Sequence, residues 1–502
     1  MSKPFTATNR VLHEWGIGGI SYYWMSAVIF SFLSYVFISS YEMDPGWVAL
    51  AMTLPRLIDF VLDPLLGRLS DNLHSRWGRR RPFIFVSSII GAAMVVGVWW
   101  MPLDWVDKPL WSFTLLQPDF DWDKLSLAWQ WAPHVMPWSF PYLLIFTTLL
   151  FAALGVFEMS HTALSYELSD DYSLRSKVQA VRNLYFCLGA LGGGFTYWIA
   201  QRAWFGHGHQ GEVNGFRQLS IIMAAMVLVF GLIPAFCCRE RFQNINRTHV
   251  RIWPALKATL KNRPFAYVLA LRIIGMLGGT LYTSLMFYIG VYSVFGGDKE
   301  WYTLLISGGY GIAGVVLGWA LIPLAAPITR WLGKRRGLIV CYGFGVLGAV
   351  LTPFFTLPGR PYLWFWFGFA CFPASFVLNN LLASVMPDIC DLDELAHGER
   401  REGLFTAVMS FITKLEASIC TGLAGWLLVL SGFDQHLIQQ PQAVLDKMRL
   451  YAFAPLIAGA IVTFIVVCFF PLKKELMDSV RSQLDARHAA LNVDVETTAK
   501  SE

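Results

Sequence analysis

Apolar runs long enough to cross a membrane recur a dozen times along this chain, and no other feature restricts its fold so severely. A helix needs about 20 apolar residues to cross roughly 30 Å of hydrocarbon. Such runs occupy residues 16–40, 46–67, 83–103, 140–166, 181–201 and 218–238, then 266–294, 302–328, 338–357, 362–386, 404–431 and 451–471. Charged residues are 15% of the chain, where a soluble domain has about 25%. The runs divide six and six around a basic stretch from Arg239 to Arg263. The expected fold class is an all-α membrane protein with twelve transmembrane helices in two six-helix halves. Its parts are an N-terminus 1–15, an N-terminal half 16–238, a linker 239–265, a C-terminal half 266–472 and a tail 473–502.

Lysine and arginine in short loops mark the cytoplasmic side. They fill the loop 68–82 (Arg68, Arg76, Arg79, Arg80, Arg81), the stretch 239–263, the loop 330–336 (Arg330, Lys334, Arg335, Arg336) and the tail at Lys473 and Lys474. Both termini are therefore expected in the cytoplasm. The N-terminus lacks the order of a secretory signal, so the first helix serves as its own insertion signal. The opposite loops are acidic or nearly neutral. The longest, 104–139, sets Asp104, Asp107, Asp119, Asp121 and Asp123 against Lys108 and Lys124 and carries six tryptophans, Trp105, Trp111, Trp122, Trp129, Trp131 and Trp138. It reads as an aromatic-anchored surface cap or as a lid that gathers substrate.

Several function classes drop out. The net charge of +5 calls for no nucleic-acid partner, because the basic residues cluster in short loops. The cysteines show neither a disulfide framework nor metal-ligand spacing. No Gly-x-x-x-x-Gly-Lys-Ser/Thr phosphate loop appears, and no ATPase partner is expected. There is no nucleophile–base constellation, so the chain does not read as an enzyme.

The chemistry lies in a few ionisable residues inside apolar runs. Arg56, Asp59 and Asp63 fall on one helix stripe. A lone carboxylate in hydrocarbon costs about 2.5–3.5 kcal/mol even on a lenient scale, so such groups face a protein interior or a wet cavity and bind or move ions. Mutual neutralisation is the plain alternative, yet one cation cannot neutralise two acids. Glu158, in Glu158-Met159-Ser160-His161-Thr162, either pairs with Arg182 or accepts hydrogen bonds from a polyhydroxylated ligand. His161 reads as a packing histidine. Lys414 and Glu416 are two apart and do not share a helix face, so Lys414 points across the bundle. Tyr22, Tyr23 and Trp24 offer either a stacking platform or plain packing. Six acids from Asp388 to Glu402 stand at a helix junction; Asp388 and Asp391 read as gate residues, Asp393 and Glu399 as a solvated face.

The halves also echo each other. Gly78-Arg79-Arg80-Arg81 corresponds to Gly333-Lys334-Arg335-Arg336, and the acid-rich turn from Glu167 to Arg182 corresponds to that from Asp388 to Arg401. Matching motifs in two halves argue for a parallel internal repeat, the outline of a secondary transporter.

The run Asp71-Asn72-Leu73-His74-Ser75-Arg76-Trp77-Gly78-Arg79-Arg80-Arg81-Pro82-Phe83, directly after Asp63-Pro64-Leu65-Leu66-Gly67, resembles the glycoside–pentoside–hexuronide:cation symporters of the major facilitator superfamily. Residues 163–175 and the series Asp388, Asp391, Glu394, Arg401-Glu402-Gly403 and Lys414 resemble further loops and a helix of that family. The resemblance covers about residues 14–472. It implies the major facilitator fold and cation-coupled symport of a sugar, glycoside or uronide across a bacterial inner membrane by alternating access. The partners implied are a small-molecule substrate and the bilayer, with no cofactor. By position it implies Asp59 and Asp63 as coupling carboxylates beside Arg56, and Tyr23, Glu158, Thr162, Arg182, Asn379 and Lys414 at the substrate. Asp71, Arg76, Arg79, Asp388, Asp391, Glu394 and Arg401 are implied as gating groups.

The departures from the family pattern matter too. Tyr23 stands in place of a sugar-binding aspartate, and Thr162 and Asn379 in place of stacking tryptophans. Leu62 and Gly155 replace an Asn and a Thr near the coupling carboxylates. Sodium needs several oxygens, whereas a proton needs one carboxylate whose pKa burial can raise. The expectation therefore leans to H+, with Na+ at Asp59 and Asp63 still open. Two other readings stay open: the same fold carrying a lysolipid or other amphipathic solute, and a transport-inactive sensor.

Overall fold

The computed structural model describes residues 9–72, 75, 77–121, 126–165, 172–238, 262–309, 325–397, 402–437, 439–471, 477, 479–480 and 482–484. The first span is built from α1 (Asn9–Gly16), α2 (Gly18–Ala27), a π-helical turn Val28–Phe32 and α3 (Leu33–Ser39). Then follow α4 (Pro45–Asn72), α5 (Arg81–Trp99), α6 (Ser139–Ser165), α7 (Tyr172–Ala200) and α8 (Gly208–Cys237). Beyond the linker lie α9 (Arg263–Tyr288), α10 (Lys299–Tyr302), α11 (Ala325–Phe355), α12 (Pro361–His397), α13 (Glu402–Ser431) and α14 (Gln442–Cys468). Helices thus cover eleven of the twelve expected spans, and the remaining one, 302–328, lies mostly outside the described residues. Eight described helical stretches are long and apolar enough to cross a bilayer.

One element was not anticipated. The segment expected as a cap or a lid forms an antiparallel hairpin, β1 (Pro109–Asp121) against β2 (Ser126–Pro137), with Trp111 opposite Met136 and Leu116 opposite Trp131. Paired strands satisfy each other's backbone groups. Aromatic contacts hold its base: Trp105 lies 5.8 Å from Trp138 and 5.9 Å from Tyr142, and Trp47 lies 6.2 Å from Phe113.

The chain forms two compact units. Unit 1 takes residues 1–243 and 421–440; unit 2 takes residues 244–420 and 441–502. The end of α13 therefore goes with unit 1, where its glycines meet α4. A Cβ on Gly422 would come 2.8 Å from Thr53 Oγ1, and one on Gly425 would come 3.0 Å from the Pro45 carbonyl. Lipid supplies no hydrophobic drive for helix association, so small residues that allow close approach carry it.

The internal repeat appears in the packing of each unit. In unit 1, α2 and α5 both pack on α8; in unit 2, α9 and α11 both pack on α14. The repeated basic motif has the same task in each. Gly78 and Gly333 adopt left-handed φ values of 107° and 73°, open to glycine without strain. Beyond the first, Arg81 donates from Nε to the Ala235 carbonyl at 2.5 Å and from Nη2 to that of Phe236 at 2.7 Å. Beyond the second, Arg335 donates to the Cys468 carbonyl at 2.8 Å. Each arginine closes the C-terminus of the last helix of its own unit, where carbonyls lack intrahelical partners and a cation is favoured.

Unit 2 has a core of Phe265, Leu338, Tyr342, Val385, Ile389 and Phe405, joined by Met477, Val480 and Leu484 from beyond α14. The tail therefore contributes buried residues rather than only a polar extension.

Candidate functional site

Four side chains from three helices converge in unit 1. Glu158 and Thr162 stand four residues apart on α6 and so share a face. The Arg182 guanidinium on α7 donates to Thr162 Oγ1 at 3.2 Å and stands 3.8 Å from Glu158 Oε1. It also lies 4.9 Å from the ring centre of Tyr22 on α2, and the Tyr22 hydroxyl adjoins the Glu158 carboxylate. The Arg182 side chain is 14% exposed and that of Glu158 is 40% exposed. The cation is enclosed and oriented, while the carboxylate opens outward. A separation of 3.8 Å is beyond a hydrogen bond, so this pair is loose enough for a ligand hydroxyl to engage Glu158.

Two devices hold the group in place. A Cβ on Gly19 would come 2.6 Å from the Arg182 carbonyl and 3.1 Å from the Phe186 nitrogen, so glycine lets α2 lie directly on the α7 backbone at Arg182. Beside Thr162, the imidazole of His161 stacks between Trp15 (4.6 Å, 4°) and Phe157 (5.3 Å, 14°). His161 Nε2 donates to the Trp15 carbonyl at 2.8 Å, and Trp15 Nε1 donates to the His161 carbonyl at 2.9 Å. Trp15 and His161 are fully buried. His161 is the packing histidine the sequence indicates.

Tyr23 lies elsewhere. Its ring packs 5.2 Å from Phe186 and against Gly189 and Gly193 of α7, where a Cβ on Gly189 would come 3.1 Å from the tyrosine. The structure brings Tyr22, not Tyr23, to Arg182. The Gly189-x-x-x-Gly193 spacing was the available signal, because two small residues on one face make room for a bulky neighbour.

Arg56 on α4 lies 4.4 Å from the ring centre of Phe30 and 5.2 Å from that of Phe151. Cation–π contacts contribute about 0.5–2 kcal/mol each. Phe30 belongs to the π-helical turn of the first span, and neither ring was singled out from sequence. Asp59 and Asp63 share the unbroken helix α4 with Arg56, but their side chains lie outside the described residues.

In unit 2, Lys414 is half-buried on α13, and its carbonyl accepts from Ser418 Oγ at 2.9 Å. Glu416 is buried and accepts from Cys420 Sγ at 3.3 Å. Asp388 and Glu394 are buried on α12, and Asp391 is half-buried. Asp393, read as part of a solvated face, is in fact 2% exposed and accepts from Asn262 Nδ2 at 3.4 Å. That correction follows from Asn262 capping α9 beside it. Arg79 is half-buried. Arg76, Arg401 and the side chains of Asp71 and Asn379 lie outside the described residues.

A family profile described as MFS/sugar transport protein matches residues 15–117 and 124–474. The isoprimeverose transporter of Lactiplantibacillus pentosus is 22% identical over 478 residues, covering 93% of this chain and 89% of that protein. The glucuronide carrier protein homolog of Escherichia coli K12 is 21% identical, covering 90% and 91%. Among solved structures, the inward-open xylose transporter XylE from E. coli aligns at a TM-score of 0.59 and 13% identity, covering 94% of this chain and 99% of that one. The chain belongs to the MFS/sugar transport family. It has the major facilitator fold and is a multi-pass membrane transporter, not an enzyme.

Proposed function

We propose that this member of the MFS/sugar transport family imports a glycoside, oligosaccharide or uronide by symport with a cation. The observation that carries this reading is the group Tyr22, Glu158, Thr162 and Arg182. An open carboxylate, a hydroxyl and an oriented guanidinium are placed around one spot with an aromatic face beside them. That inventory suits a polyhydroxylated ring: the carboxylate and hydroxyl accept from sugar hydroxyls, the guanidinium donates, and the ring covers an apolar sugar face. Relatives named as an isoprimeverose transporter and a glucuronide carrier homolog support the same substrate class.

Asp59 and Asp63 supply the coupling carboxylates, with a proton as the cation and Arg56 as their charge neighbour. Protonation removes one negative charge from α4 and so lowers the cost of moving the loaded carrier through a closed state. In unit 2, Asn379 and Lys414 are the substrate-contacting residues that the family resemblance implies. Asp71, Arg76, Arg79, Asp388, Asp391, Glu394 and Arg401 form ion pairs that break and re-form as access alternates. The membrane is a bacterial inner membrane, with both termini cytoplasmic.

The test is counterflow in proteoliposomes loaded with unlabelled mono-, di- and uronic sugars in turn. Exchange of one labelled sugar, lost in Glu158→Gln, supports the reading. If no sugar exchanges while the protein is folded and inserted, the glycoside assignment falls and lysolipid exchange is measured next.

A further inference from the structure

Glu42, in the turn between the first span and α4, is the one non-glycine residue with a left-handed backbone among the described residues, at φ 59°. Left-handed geometry disfavours a side chain such as Glu. Here it aims the carboxylate at two histidines from distant parts of the chain. Oε2 lies 3.1 Å from Nδ1 of His436, in the loop joining α13 to α14, and Oε1 lies 3.5 Å from Nδ1 of His209, at the start of α8. His209 Nδ1 also donates to the Ser39 carbonyl at 2.9 Å.

Both surrounding segments are built to present these groups. Gln440 folds the His436 loop, donating to the carbonyls of Asp434 at 2.6 Å and Leu437 at 3.2 Å and accepting from the Asp434 nitrogen at 3.2 Å. The His436 nitrogen in turn donates to Asp434 Oδ1 at 2.9 Å. On the other side, Ser40 Oγ donates to Glu212 Oε2 at 2.6 Å, fixing the Glu42 turn to α8, and Gln201 donates to Glu212 at 3.4 Å. Asp44 on the same turn caps α4 through the nitrogens of Gly46 and Trp47. The charged and titratable neighbours are thus Asp44, Glu212 and Asp434, with His207 just before α8.

We propose that Glu42, His209 and His436 form a proton-operated clasp, in which protonated imidazoles draw the α13–α14 loop onto the turn after the first span. The arrangement tells against plain surface contact, because three separate segments and an unfavourable backbone angle serve one carboxylate. With neutral imidazoles only His436 hydrogen-bonds Glu42, while the His209 Nδ1 proton serves the Ser39 carbonyl. With imidazolium both contacts are ion pairs, which are stronger. The clasp therefore tightens as pH falls and slackens as it rises. The held loop leads along the chain to Pro441, the residue before α14. On the proposed orientation the clasp senses the outer solution. It does not depend on which solute is carried.

The experiment is hydrogen exchange of the full-length protein in lipid nanodiscs, corrected for intrinsic exchange rates. Labelling at about pH 5.5 and about pH 7.5 brackets the ordinary imidazole value near 6.5. In the native chain, peptides covering residues 432–441 should be severalfold better protected at the acid pH. Glu42→Gln, and separately His209→Gln with His436→Gln, should abolish that difference. The double variant keeps Glu42 itself, so it decides the matter if Glu42→Gln fails to fold. Equal protection at both pH values in the native chain, or a pH difference that survives in the folded variants, would overturn the proposal.

Discussion

Arg182 stands 3.8 Å from Glu158 while donating to Thr162 at 3.2 Å, so the guanidinium is positioned by the hydroxyl and not consumed by the carboxylate. An oriented cation next to an open acid is an arrangement for binding. Arg182→Lys keeps the charge but loses the planar fork, and a hydrogen bond to a charged group contributes about 1.5–3 kcal/mol. Sugar affinity should fall about 10–100-fold in Arg182→Lys and in Glu158→Gln, with thermal stability nearly unchanged. Equilibrium binding by calorimetry, alongside melting curves, checks both halves of this expectation.

Tyr22 and Tyr23 separate two roles that adjacent positions on one helix would otherwise blur. Tyr22→Phe removes a hydroxyl beside Glu158 and should weaken sugar binding several-fold, about the 1 kcal/mol of one hydrogen bond. Tyr23→Ala empties the space beside Gly189 and Gly193 and should act on the fold, costing on the order of 3–5 kcal/mol. A binding isotherm and an unfolding transition for each variant show whether the effects divide this way.

The reciprocal bonds between Trp15 and His161 make the histidine a structural element next to the site. Its Nε2 proton goes to a carbonyl and its ring is sealed between two aromatics. His161→Phe retains the stack but leaves the Trp15 carbonyl unsatisfied, which costs about 1–3 kcal/mol. The variant should melt earlier, yet its uptake should keep the native pH profile. A shifted profile would make His161 part of the proton route.

Arg81 and Arg335 should behave alike. Replacing either with Ala uncaps the final helix of its unit and should cost about 0.3–2 kcal/mol. The two losses should add, because the sites share no partner. Chemical denaturation of the single and double variants measures this.

Much of this fold was legible because hydrocarbon imposes one requirement on every span. The apolar runs reported it directly, and the Gly78 and Gly333 motifs marked matching helix caps in the two units. The hairpin of residues 109–137 was not legible, since a Trp-rich loop outside the membrane is under no such requirement and its pairing is a long-range choice. At the site, Glu158 and Arg182 declared themselves as charges in apolar runs. Tyr22 did not, because choosing between two adjacent tyrosines requires the rotation of α2, which Gly19 sets through its contact with α7. Phe30 was hidden for a related reason: the π-helical turn at Val28–Phe32 changes the register on which a stripe is counted. Asp393 is buried because the capping Asn262, distant in sequence, packs beside it.

If carboxylates on α4 couple solute movement to a cation, gradient-driven uptake must depend on them. Native protein and the Asp59→Asn and Asp63→Asn variants would be reconstituted into proteoliposomes. Accumulation of the sugar identified by counterflow would then be followed under an imposed pH gradient, an imposed sodium gradient, or neither. In the native protein the pH gradient should drive accumulation. In at least one variant accumulation should be lost while energy-independent exchange persists. Accumulation that survives undiminished in both variants, or that requires no gradient at all, would rule out coupling through Asp59 and Asp63.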